Sequence, residues 1–445
     1  MSVRFGRRTA LALACSAFLA LAAPAASFAQ EDNAPPEGFR ALFDGSTLNG
    51  WRGMPHFDPY ELAAMSDDDR AKFFAEQQAS IDAHWSVDDG AIVNDGDGAY
   101  LTTVEEFGDY ELMIDYRTVA LADSGIYLRA TPQVQIWDTT EAGGKWSLDA
   151  DKGSGGLWNN SPGAPGKNPS ALMDRPFGEW NRFRIRQVGE RTSIWLNGTQ
   201  VVDNARMENF WRRESPMLRR GPIQLQTHGG EIRWKNIFIR EIGTDEANSI
   251  LASIGNDGYE SAFNGVDFSG WAGPVDNYEI ENGILRCKPE KGGTIYTEKE
   301  YGDFQVRFEF KLPPGGNNGL AIRYPGSGDT AYVGMCELQI LDTEDPRYAG
   351  LDPRQVHGSA YGMAAAARGY HRPTGEWNIQ EVTVVGSTIK VELNGFLILN
   401  TDLSKITEYL ADSPHPGKDR TRGYFGFAGH SDPVEFRHVM IRSLD

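Results

Sequence analysis

Residues Ile389-Lys-Val-Glu-Leu-Asn394-Gly395 alternate apolar and polar side chains, then end on a dipeptide that reverses the chain. Alternation of this kind suits a strand with one buried face, because successive side chains point to opposite sides of a sheet. Asn-Gly after such a run is a strong hairpin signal, since both residues accept the positive φ of a tight two-residue turn. The same phrase stands earlier as Ser193-Ile-Trp-Leu-Asn197-Gly198. Tyr110-Glu-Leu-Met-Ile-Asp-Tyr116 and Phe304-Gln-Val-Arg-Phe-Glu-Phe310 carry the pattern further. With short alternating runs throughout and almost no helical periodicity, the expected class is all-β, with antiparallel sheets packed as sandwiches.

The chain says nearly the same thing twice. Phe39-Arg-Ala-Leu-Phe43-Asp-Gly45-Ser-Thr-Leu48-Asn-Gly50-Trp51 returns as Tyr259-Glu-Ser-Ala-Phe263-Asn-Gly265-Val-Asp-Phe268-Ser-Gly270-Trp271, 220 positions on. Phe107-Gly108-Asp109-Tyr110 returns as Tyr301-Gly302-Asp303-Phe304, and Gly125-Ile-Tyr-Leu-Arg129 as Gly319-Leu-Ala-Ile-Arg323, both 194 positions on. Glu179-Trp180-Asn181 pairs with Glu376-Trp377-Asn378, and the segment Gly221 to His228 pairs with Gly423 to His430. Ordered matches at nearly constant offset indicate two homologous domains, 38–243 and 258–445, joined by a linker over 244–257. The drop in offset places an insertion in the first copy, between Trp51 and Trp85. Its Ser66-Asp-Asp-Asp69 ahead of Ala71-Lys-Phe-Phe-Ala-Glu-Gln77 reads as an N-capped helix, which either covers a cleft or an interface or decorates the surface.

Composition narrows the function. In 445 residues, 62 acidic side chains outnumber 43 basic ones for a net charge of −19, and no basic stripe occurs. That balance excludes a nucleic-acid partner held by bulk electrostatics. An apolar fraction of 40% suffices for packed cores. Arg4, Arg7 and Arg8 precede an apolar run to Ala26, and Ser27-Phe28-Ala29 supplies small residues for cleavage, so residues 1–29 read as a secretory signal peptide. The expected location is therefore periplasmic or extracellular, with no membrane span in the mature chain. Cys287 and Cys336 remain after cleavage, either as a disulfide or as two buried thiols.

The repeated opening, the central Glu337-Leu-Gln339-Ile-Leu-Asp342, the Gly375-Glu-Trp-Asn378 box and the closing His430-Ser-Asp-Pro-Val-Glu-Phe-Arg437 together resemble the 3-keto-disaccharide hydrolase family, in both copies. The resemblance implies two tandem concanavalin/glucanase-like jelly rolls. It also implies cleavage of glycosides oxidised to a ketone at C3 of the sugar, by hydrolysis or by elimination through a 2-hydroxyglucal. The implied partner is an oligosaccharide or glycoside. No cofactor is implied with certainty, and a divalent metal ion and a homo-oligomer both stay open.

A C3 ketone acidifies the neighbouring C2–H, so elimination needs a base, a stabiliser for the enolate and an acid for the departing oxygen. Glu337 and Gln339 alternate with Leu338 and Ile340, which puts the polar pair on one strand face. Glu337 is the candidate base, with Asp342 orienting it or serving as the acid provided a bulge returns it to the same face. The first copy reads Gln133-Val-Gln135-Ile-Trp-Asp138, and Gln133 cannot act as a base. Arg323 offers charge-assisted hydrogen bonds to the ketone or enolate oxygen, or a structural ion pair. His430 offers an acid, a metal ligand with Glu337, or a hydrogen-bonded loop residue. Tyr361 can donate to the leaving oxygen, and Trp377 can stack on a sugar or plug the core. Gln339, His357 and Asn378 complete the expected substrate contacts. Two other readings remain. One is a laminarinase-like retaining glycosidase, whose E-x-D-x-x-E strand the E-x-Q-x-x-D spacing resembles, with carboxylates about 5–5.5 Å apart. The other is a non-catalytic sugar-binding protein.

Overall fold

In the computed structural model, which describes residues 1–2 and 32–445, the alternating runs pair as four antiparallel sheets. The first sandwich packs an eight-stranded sheet, with Tyr110–Thr118 and Ile232–Glu241 at its centre, against a five-stranded sheet. The smaller sheet runs Trp51–Met54, Tyr100–Thr103, Gln224–Leu225, Asp123–Leu128, Thr131–Trp137. The second sandwich repeats this order strand for strand. Its five-stranded sheet runs Trp271–Ala272, Gly292–Tyr301, Gly423–His430, Asn317–Tyr324, Cys336–Leu341. The fold is thus all-β, two tandem jelly-roll sandwiches. Residues 3–31, which carry most of the expected signal peptide, lie outside the described residues, and no described helix is long and apolar enough to cross a membrane.

Both Asn-Gly turns form as the sequence requires. Asn394 and Gly395 take φ of 51° and 82° between strands Thr388–Leu393 and Phe396–Asp402, and Asn197 and Gly198 take 51° and 87°. Leu320, Ile322, Leu338 and Ile340 of the smaller sheet are fully buried against Phe308, Phe310 and Phe427. Each such side chain contributes roughly 1.5–3 kcal/mol by leaving water. Cys287 and Cys336 are free, buried thiols.

The insertion folds as two helices, Pro59–Ala64 and Asp67–His84. Ser66 caps the second by accepting from Asp69 N at 3.1 Å. This helix lies on strand Trp51–Met54, where Gly53 permits the approach: a Cβ there would stand 2.7 Å from Gln77 Cβ. The connection between sandwiches is itself ordered, with a helix at Thr244–Ser253 whose Ala247 and Leu251 pack with Val188, Ile242 and Ile379. Glu190 ties the two sandwiches together. Its carboxylate accepts from Met217 N at 2.8 Å in the first and Leu397 N at 3.2 Å in the second, and burial raises its pKa to about 7. Arg191 and Glu392 form an ion pair alongside it.

Candidate active site

Strand Cys336–Leu341 runs in unbroken register with Asn317–Tyr324. Glu337, Gln339 and Leu341 therefore stay on one face, opposite Leu338 and Ile340 in the core. That face floors a cleft of about 300 Å³. The free edge of the strand is closed by a returning loop, since Tyr361 N donates to Glu337 O at 2.9 Å and Gly358 N to Gln339 O at 2.8 Å. The loop thereby sets Tyr361 over the cleft.

Glu337 is only 4% exposed. A buried carboxylate requires hydrogen-bond partners, and Oε1 accepts from Gln339 Nε2 at 3.2 Å and lies 3.4 Å from His430 Nε2. Oε2 has no protein partner among the described residues. The carboxylate rests over Gly319, where a Cβ would come within 2.2 Å of Oε1. Glycine at 319 is thus what makes space for the acid. His430, at the end of strand Gly423–His430, lines the cleft with its side chain half exposed. Its hydrogen bond to Glu337 raises its pKa above the usual imidazole value, against the opposing effect of burial.

Four of the residues expected from sequence thus meet in one cleft: Glu337, Gln339, Tyr361 and His430. Five are elsewhere. Arg323 is buried, and its guanidinium donates to the carbonyls of Gly302, Gly386 and Arg420 and to Asp303. Arg129 makes the equivalent bonds in the first copy, so this arginine is a loop anchor rather than a ketone ligand. Asp342 accepts from Gly315 N at 2.9 Å and holds that turn, away from the cleft lining. His357 is enclosed, accepting from Leu341 N at 3.2 Å, bonded to Gln380 at 2.8 Å and stacked on Phe310; burial lowers its pKa to about 4. Trp377 lies under Arg437, whose guanidinium carbon is 4.0 Å from the ring centroid, with Lys311 close by. Asn378 pins a loop to a hairpin by accepting from Arg372 N and Asn394 Nδ2.

Sequence reasoning missed Asn317, Tyr332, Tyr348 and Gln355, which also line the cleft. Gln355 Nε2 donates to the Tyr361 hydroxyl at 3.2 Å and orients it. Asn317 Oδ1 is buried without a hydrogen-bond partner among the described residues. The signal that points to Asn317 is its place two residues before Gly319 on an alternating strand. Among the described residues no group of three or more His, Cys, Asp or Glu side chains converges as a metal site.

The first sandwich keeps the same concavity, about 360 Å³, with Gln133, Gln135 and His228 at the positions of Glu337, Gln339 and His430. His56, just before the helical insertion, lines it and packs on Trp211 with ring centroids 4.6 Å apart.

A curated 3-keto-disaccharide hydrolase of Bacteroides thetaiotaomicron is 24% identical over 249 residues, 47% of this chain and 86% of that protein. Two crystal structures from Parabacteroides distasonis, provisionally described as glycosyl hydrolases, are 26% and 25% identical. They cover 42% and 46% of this chain and 99% of their own, with TM-scores of 0.39 and 0.38. A family model described as a 3-keto-alpha-glucoside-1,2-lyase-like domain matches residues 38–240 and, a second time, 258–442. The chain belongs to that family and carries its domain twice.

Proposed function

We propose that the C-terminal sandwich cleaves the glycosidic bond of 3-keto-glycosides, with Glu337 as base and His430 as acid. The observation that carries this reading is the carboxylate–imidazole pair at 3.4 Å on the floor of an open cleft. Glu337 takes the C2 proton, and the electron pair passes to the C3 oxygen as an enolate. Tyr361, held by Gln355, keeps its hydroxyl proton free to donate to that oxygen. Collapse of the enolate forms C1=C2 and breaks the C1–O bond, while the imidazolium of His430 gives its proton to the departing oxygen. Release at this stage is the lyase outcome. While the glucal is held in the open cleft, the Glu337 carboxyl proton exchanges with solvent. Addition of water, oxygen to C1 and that exchanged proton to C2, then gives net hydrolysis and returns a proton to His430.

A retaining glycosidase would need a second carboxylate beside Glu337. Asp342 is held by Gly315 N, and Asp329, the other acid on the cleft, caps helix Thr330–Val333 through Ala331 N. The first sandwich presents Gln133 and does not turn over. The protein works outside the cytoplasm, its leader removed after Ala29.

Purified protein incubated with 3-keto-trehalose and with trehalose tests the reading. Only the keto sugar is consumed, and Glu337→Gln lowers its rate by about 10²–10⁴-fold, the usual contribution of a positioned base. Consumption of plain trehalose would overturn the assignment.

A further inference from the structure

The cleft of the first sandwich lacks a counterpart of the Glu337 carboxylate but holds another carboxylate, Asp123. Position 133 is Gln, yet Asp123 stands where the second copy has Asn317, one strand over and two residues before Gly125. Asp123 is 9% exposed. Its Oδ1 accepts from Gln135 Nε2 at 2.8 Å, and its Oδ2 meets His228 Nδ1 at 2.9 Å and the ammonium of Lys145. The negative charge is therefore compensated, and the carboxylate is held in place by three neighbours.

Above this polar floor the walls are aromatic. Trp137 and Trp158 meet edge to face at 5.3 Å, opposite Tyr127 and Phe210. The second cleft has no tryptophan in its lining. Gln226 adds a sharper feature. It is 6% exposed, lines the cleft beside Gly125, and its Oε1 is buried with no hydrogen-bond partner among the described residues. A buried acceptor left without a donor costs about 1–3 kcal/mol, so an occupant that donates to it is favoured.

We propose that this cleft is a second, non-catalytic carbohydrate site that selects the unoxidised pyranoside. Aromatic walls accept the C–H face of a sugar ring. Asp123 and Gln226 Oε1 both call for donors, which hydroxyl groups supply. A ketone only accepts, so oxidation of a contacting hydroxyl removes a donor that these groups need. The two clefts then divide the substrate chemistry, the first holding hydroxyl-bearing sugar and the second the ketone. This rests on the proposed function only for the role of the second cleft; binding of plain sugar by the first stands independently of whether Glu337 is the base.

The test is a fluorescence titration of the full-length Glu337→Gln protein with trehalose and with 3-keto-trehalose. Trp137 and Trp158 report the first cleft. Trehalose should produce a saturable change, at a lower concentration than 3-keto-trehalose does. The change should vanish in Trp158→Ala and weaken at least severalfold in Gln226→Ala, a substitution that reproduces Ala428 of the second copy. Tyr361→Phe, in the other cleft, should leave it intact, and Gln226→Ala in the otherwise unaltered protein should leave keto-sugar turnover unchanged. No saturable signal with trehalose, a preference for the keto sugar, or a signal that survives Trp158→Ala would each overturn the proposal. If Glu337→Gln retains turnover while trehalose still binds, the catalytic assignment fails and this one holds.

Discussion

At the scale of single residues, the site is a buried carboxylate whose only charged neighbour in hydrogen-bond range, among the described residues, is His430. That pairing has a pH consequence. The folded pKa of His430 is raised by Glu337, so the imidazolium persists above the ordinary value of about 6.5. Its share of stability is therefore present at low pH and lost as pH rises through the folded value. On the proposed mechanism, the acid for the leaving oxygen disappears over the same range. Imidazole NMR should find His430 titrating above the ordinary value, and in Glu337→Gln at a lower pH; an unmoved titration would separate the two groups. Which polar residues reach this pair was only partly legible. Alternation alone puts Arg323 on the cleft face with Asn317 and Gly319. The strand register shifts between Ala321 and Tyr324, however, and Arg323 takes a φ of 48°, which swings its guanidinium to the loop carbonyls. For Asp342 the failure is opposite. A bulge was needed to bring it round, and the strand runs to Leu341 without one.

At the scale of elements, the strand pair Asn317–Tyr324 and Cys336–Leu341 makes the site because Gly319, diagonal to Glu337 across the pair, leaves room for its carboxylate. Gly319→Ala should push the Glu337 carboxylate off its position, since the new Cβ falls 2.2 Å from Oε1. We expect turnover to fall by at least tenfold with the fold retained. Gly125→Ala, its counterpart beneath Gln133, should leave turnover intact. Equal losses in the two variants, measured with matched circular dichroism, would contradict this. The repeat quoted both glycines without revealing their use, because only three-dimensional pairing shows what lies over them. Helix Asp67–His84 was readable from Ser66 and its acidic first turn. Helix Thr244–Ser253 was not: Gly243 provides no side-chain cap, and its short apolar stripe gains meaning only between two sandwiches.

At the scale of the whole molecule, duplication gives two equivalent concavities whose polar groups have diverged. One holds the Glu337 carboxylate over glycine; the other holds a different, compensated carboxylate, Asp123, among tryptophans. The strands, the hairpins and the tandem arrangement were legible because they follow from local alternation and repetition. The occupants of each cleft depend on loops such as 343–377, which carry no periodic signal. The central claim is that Glu337 removes the C2 proton before the glycosidic bond breaks. Single turnover of 3-keto-trehalose in D₂O, quenched early and read by mass spectrometry and NMR, measures this directly. The account predicts a released keto sugar carrying one deuterium at C2 with the native protein and no release in Glu337→Gln. Release of a keto sugar that retains its original C2 hydrogen would contradict it.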